Sequence, residues 1–207
     1  MNAHPTPTVF IVDDYPPVRR SISRLLRAAG FAVAAFASAK EFLVQYDPQT
    51  LGCLVLDVAM PTLNGLELQR ILEKAGSDLP IIFLTGQGDI PKSVEAMKHG
   101  AVDFLTKPVN DTDLLAAVHV AIDKDRALRR ERAELSEIRA RLATLTPRER
   151  EVLEYVLAGK LNKQIAGNLG TAEQTVKFHR AHLMQKMKAH SVAELVRLIE
   201  HCGIGGK

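Results

Sequence analysis

The sequence predicts an α/β fold, a doubly wound five-stranded parallel sheet, followed by a linker helix and an all-α segment of four helices. Three observations carry that prediction. Residues 1–122 alternate short, almost wholly apolar runs with longer amphipathic stretches, residues 123–145 are dense in charge with no strand signal, and residues 146–207 hold four capped helical patterns. Strands buried on both faces of a parallel sheet read as continuous apolar runs, and each run here is followed by a helical pattern, the repeated βα unit.

In chain order, the runs at 8–12, 31–36, 53–56, 80–84 and 102–105 are the strands. The helices are expected at 16–29, 39–46, 65–75, 91–99 and 111–122, several opened by proline or by a capping side chain such as Asn64 or Asn110. Between 123 and 145, Leu128, Leu135 and Leu142 recur every seven residues, with Ile138 and Leu145 beside them. Two readings stay open for this linker helix: a solvated helix packed on its own domain, or a short coiled-coil dimer contact interrupted by Glu131.

In the last segment, Thr146-Pro147-Arg148-Glu149 combines a capping box with proline at the first helical position. Asn162 is expected to cap a second helix, Thr171 with Gln174 to open a third, and Ser191 with Glu194 a fourth. Gly159 and Gly170 stand where helices should stop. A turn of about four residues around Leu169-Gly170-Thr171 then gives helix-turn-helix spacing.

With 207 residues, 46% hydrophobic and 25% charged, the composition is that of a globular protein with material for a buried core. The longest apolar runs are far short of the roughly 20 residues a bilayer requires, and the polar start lacks a signal-peptide core. A soluble, cytoplasmic protein with no membrane partner is expected. Cys53 and Cys202 form neither a disulfide framework nor a zinc spacing and read as reduced structural thiols. The net charge of +3 hides an asymmetry. Residues 1–122 carry 10 basic against 13 acidic residues (−3), and residues 146–207 carry 10 against 6 (+4), which hints at a nucleic-acid-facing C-terminal part.

In an open parallel sheet, ligands bind beyond the carboxyl ends of the strands. The first strand ends in Asp13-Asp14, the third in Asp57, the fourth in Thr85, and the fifth is followed by Lys107-Pro108. Three carboxylates, a hydroxyl and an ammonium therefore converge on one crevice. Carboxylates that crowd together repel, and a hard divalent cation, Mg²⁺ or Mn²⁺, relieves this with oxygen ligands. Asp13 and Asp57 are the direct-ligand candidates. Asp57 is also placed to attack a phosphoryl group, with Lys107 neutralising the equatorial oxygens and Thr85 hydrogen-bonding one of them. A dehalogenase-type phosphatase would want a second aspartate two residues after the nucleophile, where this chain has Ala59.

These positions, with Asp57-Val58-Ala59-Met60-Pro61, Asn64-Gly65, Thr85-Gly86-Gln87-Gly88-Asp89-Ile90-Pro91 and Ala101-Val102-Asp103-Phe104-Leu105-Thr106-Lys107-Pro108, closely resemble the receiver domain of bacterial two-component response regulators, most of all its FixJ branch. The resemblance implies a flavodoxin-like receiver over residues 1–122. Asp57 would be phosphorylated by a sensor histidine kinase, Asp13, Asp14, Asp57 and the backbone carbonyl of Ala59 would hold the metal, and Thr85 with Phe104 would form the switch. The chain departs from FixJ at Ala59, where that protein has a basic residue, and from many receivers at Phe104, where they have Tyr. The domain would catalyse only its own phosphorylation and dephosphorylation, so the chain is otherwise not an enzyme.

Residues 146–207 resemble the LuxR-type helix-turn-helix of the same regulators, through Leu145-Thr146-Pro147-Arg148-Glu149-Arg150-Glu151-Val152-Leu153, Asn162-Lys163-Gln164-Ile165-Ala166 and Thr175-Val176-Lys177-Phe178-His179-Arg180. By that resemblance Lys177, Phe178 and Ala181 face bases, and Lys163, Thr175, Arg180 and Lys186 are phosphate-contact candidates. Phe178 beside Lys177 on the outer helix face suits a thymine methyl, with Lys177 reaching a guanine edge. The implied protein is a phosphorylation-switched transcription factor, homodimeric when phosphorylated, whose partners are the kinase, promoter DNA and RNA polymerase. Two rivals are a metal-dependent phosphohydrolase with a helical appendage and a constitutive DNA-binding protein.

Overall fold

A computed structural model of the chain describes residues 6–86, 97 and 99–203. Strands β1 (Thr8–Val12), β2 (Ala32–Phe36), β3 (Gly52–Asp57), β4 (Ile81–Thr85) and β5 (Asp103–Thr106) form one parallel sheet in the order β2-β1-β3-β4-β5. Each lies within a residue or two of its expected run. All six residues of β3 are buried, the apolar run 53–56 as a strand covered on both faces requires, and Asp57 at its end with them. Helices α1 (Pro16–Ala28), α2 (Ala39–Gln45) and α3 (Gly65–Lys74) link the first four strands. The helix expected at 91–99 falls almost wholly outside the described residues.

The sheet is covered on both faces. Alternate residues of the strands, among them Phe10, Leu54, Leu56 and Phe83, cluster with Phe42 of α2 and Leu68 of α3. The intervening residues Val9, Ile11, Val55, Ile82 and Leu84 cluster with Ile22 and Leu26 of α1 and with Leu114, Val118 and Ile122. The last three belong to α4 (Asp111–Ala143), a single helix of 33 residues where the sequence was read as a helix ending at 122 and a separate linker. No Gly or Pro interrupts α4, and its charged stretch after Ile122 is built from good helix formers, so nothing ends the helix at 122.

The chain divides into two compact units, Met1–Arg129 and Arg130–Lys207. Arg129 closes the first. Its Nε donates to buried Asp125 at 2.9 Å, and its two amino groups donate to the carbonyls of Pro48, Gln49 and Thr50 at 2.8–3.0 Å. Asp125 also accepts the Gly52 amide at 2.8 Å, so α4 is fastened to the entry of β3.

In the second unit, α5 (Pro147–Leu157), α6 (Asn162–Leu169), α7 (Glu173–Met187) and α8 (Val192–His201) enclose a core of Val152, Val156, Ile165, Val176, Leu183, Met187, Leu195 and Ile199. The Thr146 and Ser191 caps form as the sequence suggested. Two others differ. Leu161, not Asn162, occupies the N-cap of α6, with the Gln164 side chain accepting its amide at 2.8 Å. Ala172, not Thr171, precedes α7, because the Thr171 amide closes the previous helix on the Ala166 carbonyl at 3.0 Å. That closure turns on Gly170 at φ 62°, the left-handed conformation where glycine meets no Cβ penalty. The linker leucines are divided. Ile138 and Leu145 are buried in this second core with Leu135 and Leu142 packed against it, while Leu128 lies beside Lys124 and Gly100 in the first unit. Among the described residues, no helix is long and apolar enough to cross a membrane.

Candidate functional site

Strand register assembles the site. Val12 pairs with Leu56, Asp57 with Leu84, and Thr85 with Thr106, so the residues at or just past the ends of β1, β3, β4 and β5 stand side by side. They are Asp13, Asp57, Thr85 and Lys107. The Lys107-Pro108 bond is cis, and the Lys107 amide donates to the Thr85 carbonyl at 2.6 Å. Lys107 Nζ lies 2.7 Å from Asp13 Oδ2 and 3.1 Å from Asp57 Oδ2. Burial works against the Lys107 charge, but the hydrogen bonds and charges of Asp13 and Asp57 outweigh it and raise the ammonium above its ordinary 10.5.

The carboxylates are individually placed. Asp13 is fully buried, with Oδ1 accepting the Tyr15 amide at 2.8 Å, and its carbonyl accepts from Arg19 at 2.6 Å. Asp57 Oδ1 accepts the amide of Ala59 at 3.3 Å. Asp14 is exposed, yet one oxygen from each of Asp13, Asp14 and Asp57 lies within 4.8 Å of the others. Thr85 is buried and its Oγ1 donates to the Gly86 carbonyl at 3.2 Å. Phe104 is partly buried, its ring centroid 6.0 Å from Phe83. Gly65 opens α3 so close to the strand end that a Cβ there would come within 2.4 Å of the Asp57 carbonyl oxygen.

One ammonium facing three carboxylates leaves the crevice about two negative charges in excess. A hard, oxygen-only donor set with that excess fits a small divalent cation such as Mg²⁺. The same set on a strand end, with a lysine already bridging two members, also fits a carboxylate that accepts a phosphoryl group. Arg19 and Gly65 are supports of this site whose roles the sequence reading did not assign. The signals were present: Arg19 sits one turn into the helix after Asp13-Asp14, and Gly65 follows the capping Asn64.

The second unit offers an exposed face on α7. Lys177, Phe178, Ala181 and Thr175 are exposed there, and Lys163 is exposed on α6. Lys177 reaches Glu173 at 3.1 Å within the helix. Arg180 donates to Asn162 at 2.9 Å, tying α7 to the start of α6. Lys186 differs from the rest. Its Nζ lies 2.6 Å from Glu149 and 3.1 Å from the Thr144 carbonyl, so an ammonium read as a phosphate contact is engaged inside the unit.

Comparison with known proteins covers both units. Residues 9–119 match the family model described as response regulator receiver domain, and residues 143–199 the model of bacterial regulatory proteins, luxR family. The chain is 47% identical over 196 residues to Nodulation protein W of Bradyrhizobium diazoefficiens, covering 95% of this chain and 86% of that one. It is 46% identical over 198 residues to the transcriptional regulatory protein FixJ of Rhizobium meliloti strain 1021, covering 96% and 97%. Among solved structures, the response regulator StyR matches with a TM-score of 0.86 and 45% identity over 94% of this chain and 98% of that one. Full-length FixJ from B. japonicum matches with a TM-score of 0.60 and 41% identity over 97% and 99%.

Proposed function

The chain belongs to the two-component response regulators that join a receiver domain to a LuxR-type DNA-binding domain, and from that premise we propose that Asp57 is its phosphoacceptor and α7 its reader of promoter DNA. As a member it is a transcription regulator that acts through phosphorylation. The observation that carries the Asp57 assignment is the Lys107 ammonium, 2.7 Å from Asp13 and 3.1 Å from Asp57 at adjacent strand ends.

An Asp57 carboxylate oxygen attacks the phosphorus of a phosphohistidine on a sensor kinase. The new O–P bond forms as the P–N bond breaks, and the imidazole leaves with the electron pair. Lys107 neutralises charge on the transferred oxygens and the Thr85 hydroxyl donates to one of them. A divalent cation held by Asp13, Asp14, Asp57 and the Ala59 carbonyl supplies further charge neutralisation when bound. Hydrolysis of the acyl phosphate returns Asp57, so the domain's chemistry is its own phosphorylation and dephosphorylation. Thr85 moves toward the phosphate, Phe104 follows, and the altered surface favours a homodimer. The surface that changes is residues 90–99, β5 and residues 111–122, of which 90–96 and 98 lie outside the described residues.

Two readers then bind a two-fold-related promoter site. Lys177, Phe178 and Ala181 meet bases, while Lys163, Thr175 and Arg180 position the helix on phosphates. The setting is the cytoplasm and the downstream partner RNA polymerase. The test is phosphorylation by acetyl phosphate with Mg²⁺, followed by borohydride reduction and peptide mapping. Label on the Asp57 peptide, absent from Asp57→Asn together with phosphate-dependent dimerisation and DNA binding, is the expected result. Label elsewhere, or a phosphate response surviving in Asp57→Asn, overturns it.

A further inference from the structure

On α7, Phe178 is 60% exposed, an apolar ring set in water on a helix otherwise rich in charge. It is not loose. Its ring lies 4.2 Å from that of His182 between centroids, tilted by 54°, and 5.7 Å from that of His179. His182 Nδ1 lies 2.9 Å from the Phe178 backbone carbonyl oxygen, one turn back along the helix. A carbonyl oxygen only accepts, so Nδ1 must carry the proton. In the neutral imidazole the other nitrogen, Nε2, is then an acceptor. The helix backbone has chosen the tautomer.

In the neutral ring, that choice limits what Nε2 can bind. DNA phosphates present only acceptors, and so do guanine O6 and N7 in the major groove, as does thymine O4. The donors there are the exocyclic amino groups of adenine and cytosine. The phenyl ring tilted against this acceptor suits a thymine methyl. We propose that His182 is a base-reading residue of α7, and that with Phe178 it selects a thymine methyl beside an exocyclic amino donor, the combination that one A·T pair presents. The proposal rests on the reading of α7 as the DNA-contacting helix. It makes the Phe178-His182 pair a single reading unit, the imidazole both buttressing the phenyl ring and supplying the hydrogen-bond acceptor.

The test uses the full-length phosphorylated chain and a duplex that it selects from a random library. Thymines in that duplex are replaced singly by uracil, which removes the methyl, and adenines by purine, which removes the amino group. At one A·T position each replacement should weaken wild-type binding by about tenfold, the size of an ordinary single-pair mismatch. His182→Ala should lose the response to purine and Phe178→Ala the response to uracil, each keeping the salt dependence of the wild type. A wild type indifferent to both replacements overturns the proposal, with no variant needed. So does a His182→Ala that weakens all sequences alike with a shallower salt slope, the mark of a phosphate contact. If Lys177→Ala abolishes selective binding while His182→Ala does not change it, the reading of α7 stands and the role of His182 falls. If neither change affects selective binding, both fall.

Discussion

Arg129 Nε meets Asp125 Oδ2 at 2.9 Å, one turn apart on α4, and together they bond the carbonyls of residues 48–50 and the Gly52 amide. The pair is a fastening between the long helix and the entry of β3. Asp125 is buried and Arg129 only partly so; removing Arg129 leaves the buried carboxylate short of a partner, at a cost of about 1–3 kcal/mol. Arg129→Ala should therefore raise amide hydrogen exchange in residues 47–52 and 123–129 by more than tenfold, with exchange in α7 unchanged. Unchanged protection at Gly52 would show that the fastening is ornamental.

The linker seam is a second point of test. Ile138 and Leu145 are buried within the second core, which leaves little apolar surface for a coiled-coil partner. Ile138→Ala should cost about 2–5 kcal/mol in the stability of that unit, read by thermal or urea unfolding. It should leave the molar mass seen by light scattering unchanged. A variant of normal stability that no longer dimerises would restore the coiled-coil reading.

Glu149 gives a pH dependence. Burial raises its carboxyl, but bonds from Lys186 and Thr146 and the Lys186 charge outweigh burial and hold it below its ordinary 4.5. The folded state thus binds fewer protons than the unfolded one across that range. The stabilisation is complete above the ordinary carboxyl value and is lost as pH falls through the depressed one. Glu149→Gln should flatten the acid limb of the stability curve, followed by circular dichroism of α5–α8 unfolding.

Gly65→Ala sets a Cβ 2.4 Å from the Asp57 carbonyl oxygen, and the obstructing atom is backbone. The strand end or the start of α3 must move. We expect a loss of about 1–3 kcal/mol, the usual cost of overpacking, together with slower phosphorylation from acetyl phosphate. Wild-type labelling at wild-type stability would contradict the close approach.

Cys53 lies buried in β3, and burial, reinforced by the Asp125 charge, pushes its thiol up to about 12. The thiolate is the nucleophile, so alkylation by iodoacetamide at neutral pH should fail in the folded chain and proceed in denaturant. Rapid native labelling at Cys53 would show that the sheet opens there.

Much of this was legible in the sequence. The strands announce themselves because burial on both faces leaves no polar alternation, and the site follows because Asp13, Asp57, Thr85 and Lys107 each stand at or just past a strand end. What failed was local bookkeeping at helix ends. Thr171 looks like a cap, yet its amide is needed to close α6, and Asn162 is drawn to Arg180 instead. The break drawn at 122 came from a change in charge density, which does not stop a helix lacking Gly and Pro. The bonds of Lys186 to Glu149, 37 residues apart, and of Arg129 to three loop carbonyls are tertiary. A basic residue on a helix reads the same whether its charge faces water, DNA or a carboxylate.

The 94-residue separation of Asp13 and Lys107 has a consequence for synthesis. Chains are made from the N-terminus and non-local contacts form late, after loop closure has been met. A nascent chain with β1 and β3 in place but β5 still unmade would hold its aspartates together with no ammonium between them. Their mutual repulsion would oppose sheet closure until Lys107 emerges. The receiver therefore gains its signalling chemistry and its last electrostatic support in the same event, and an incomplete chain has neither.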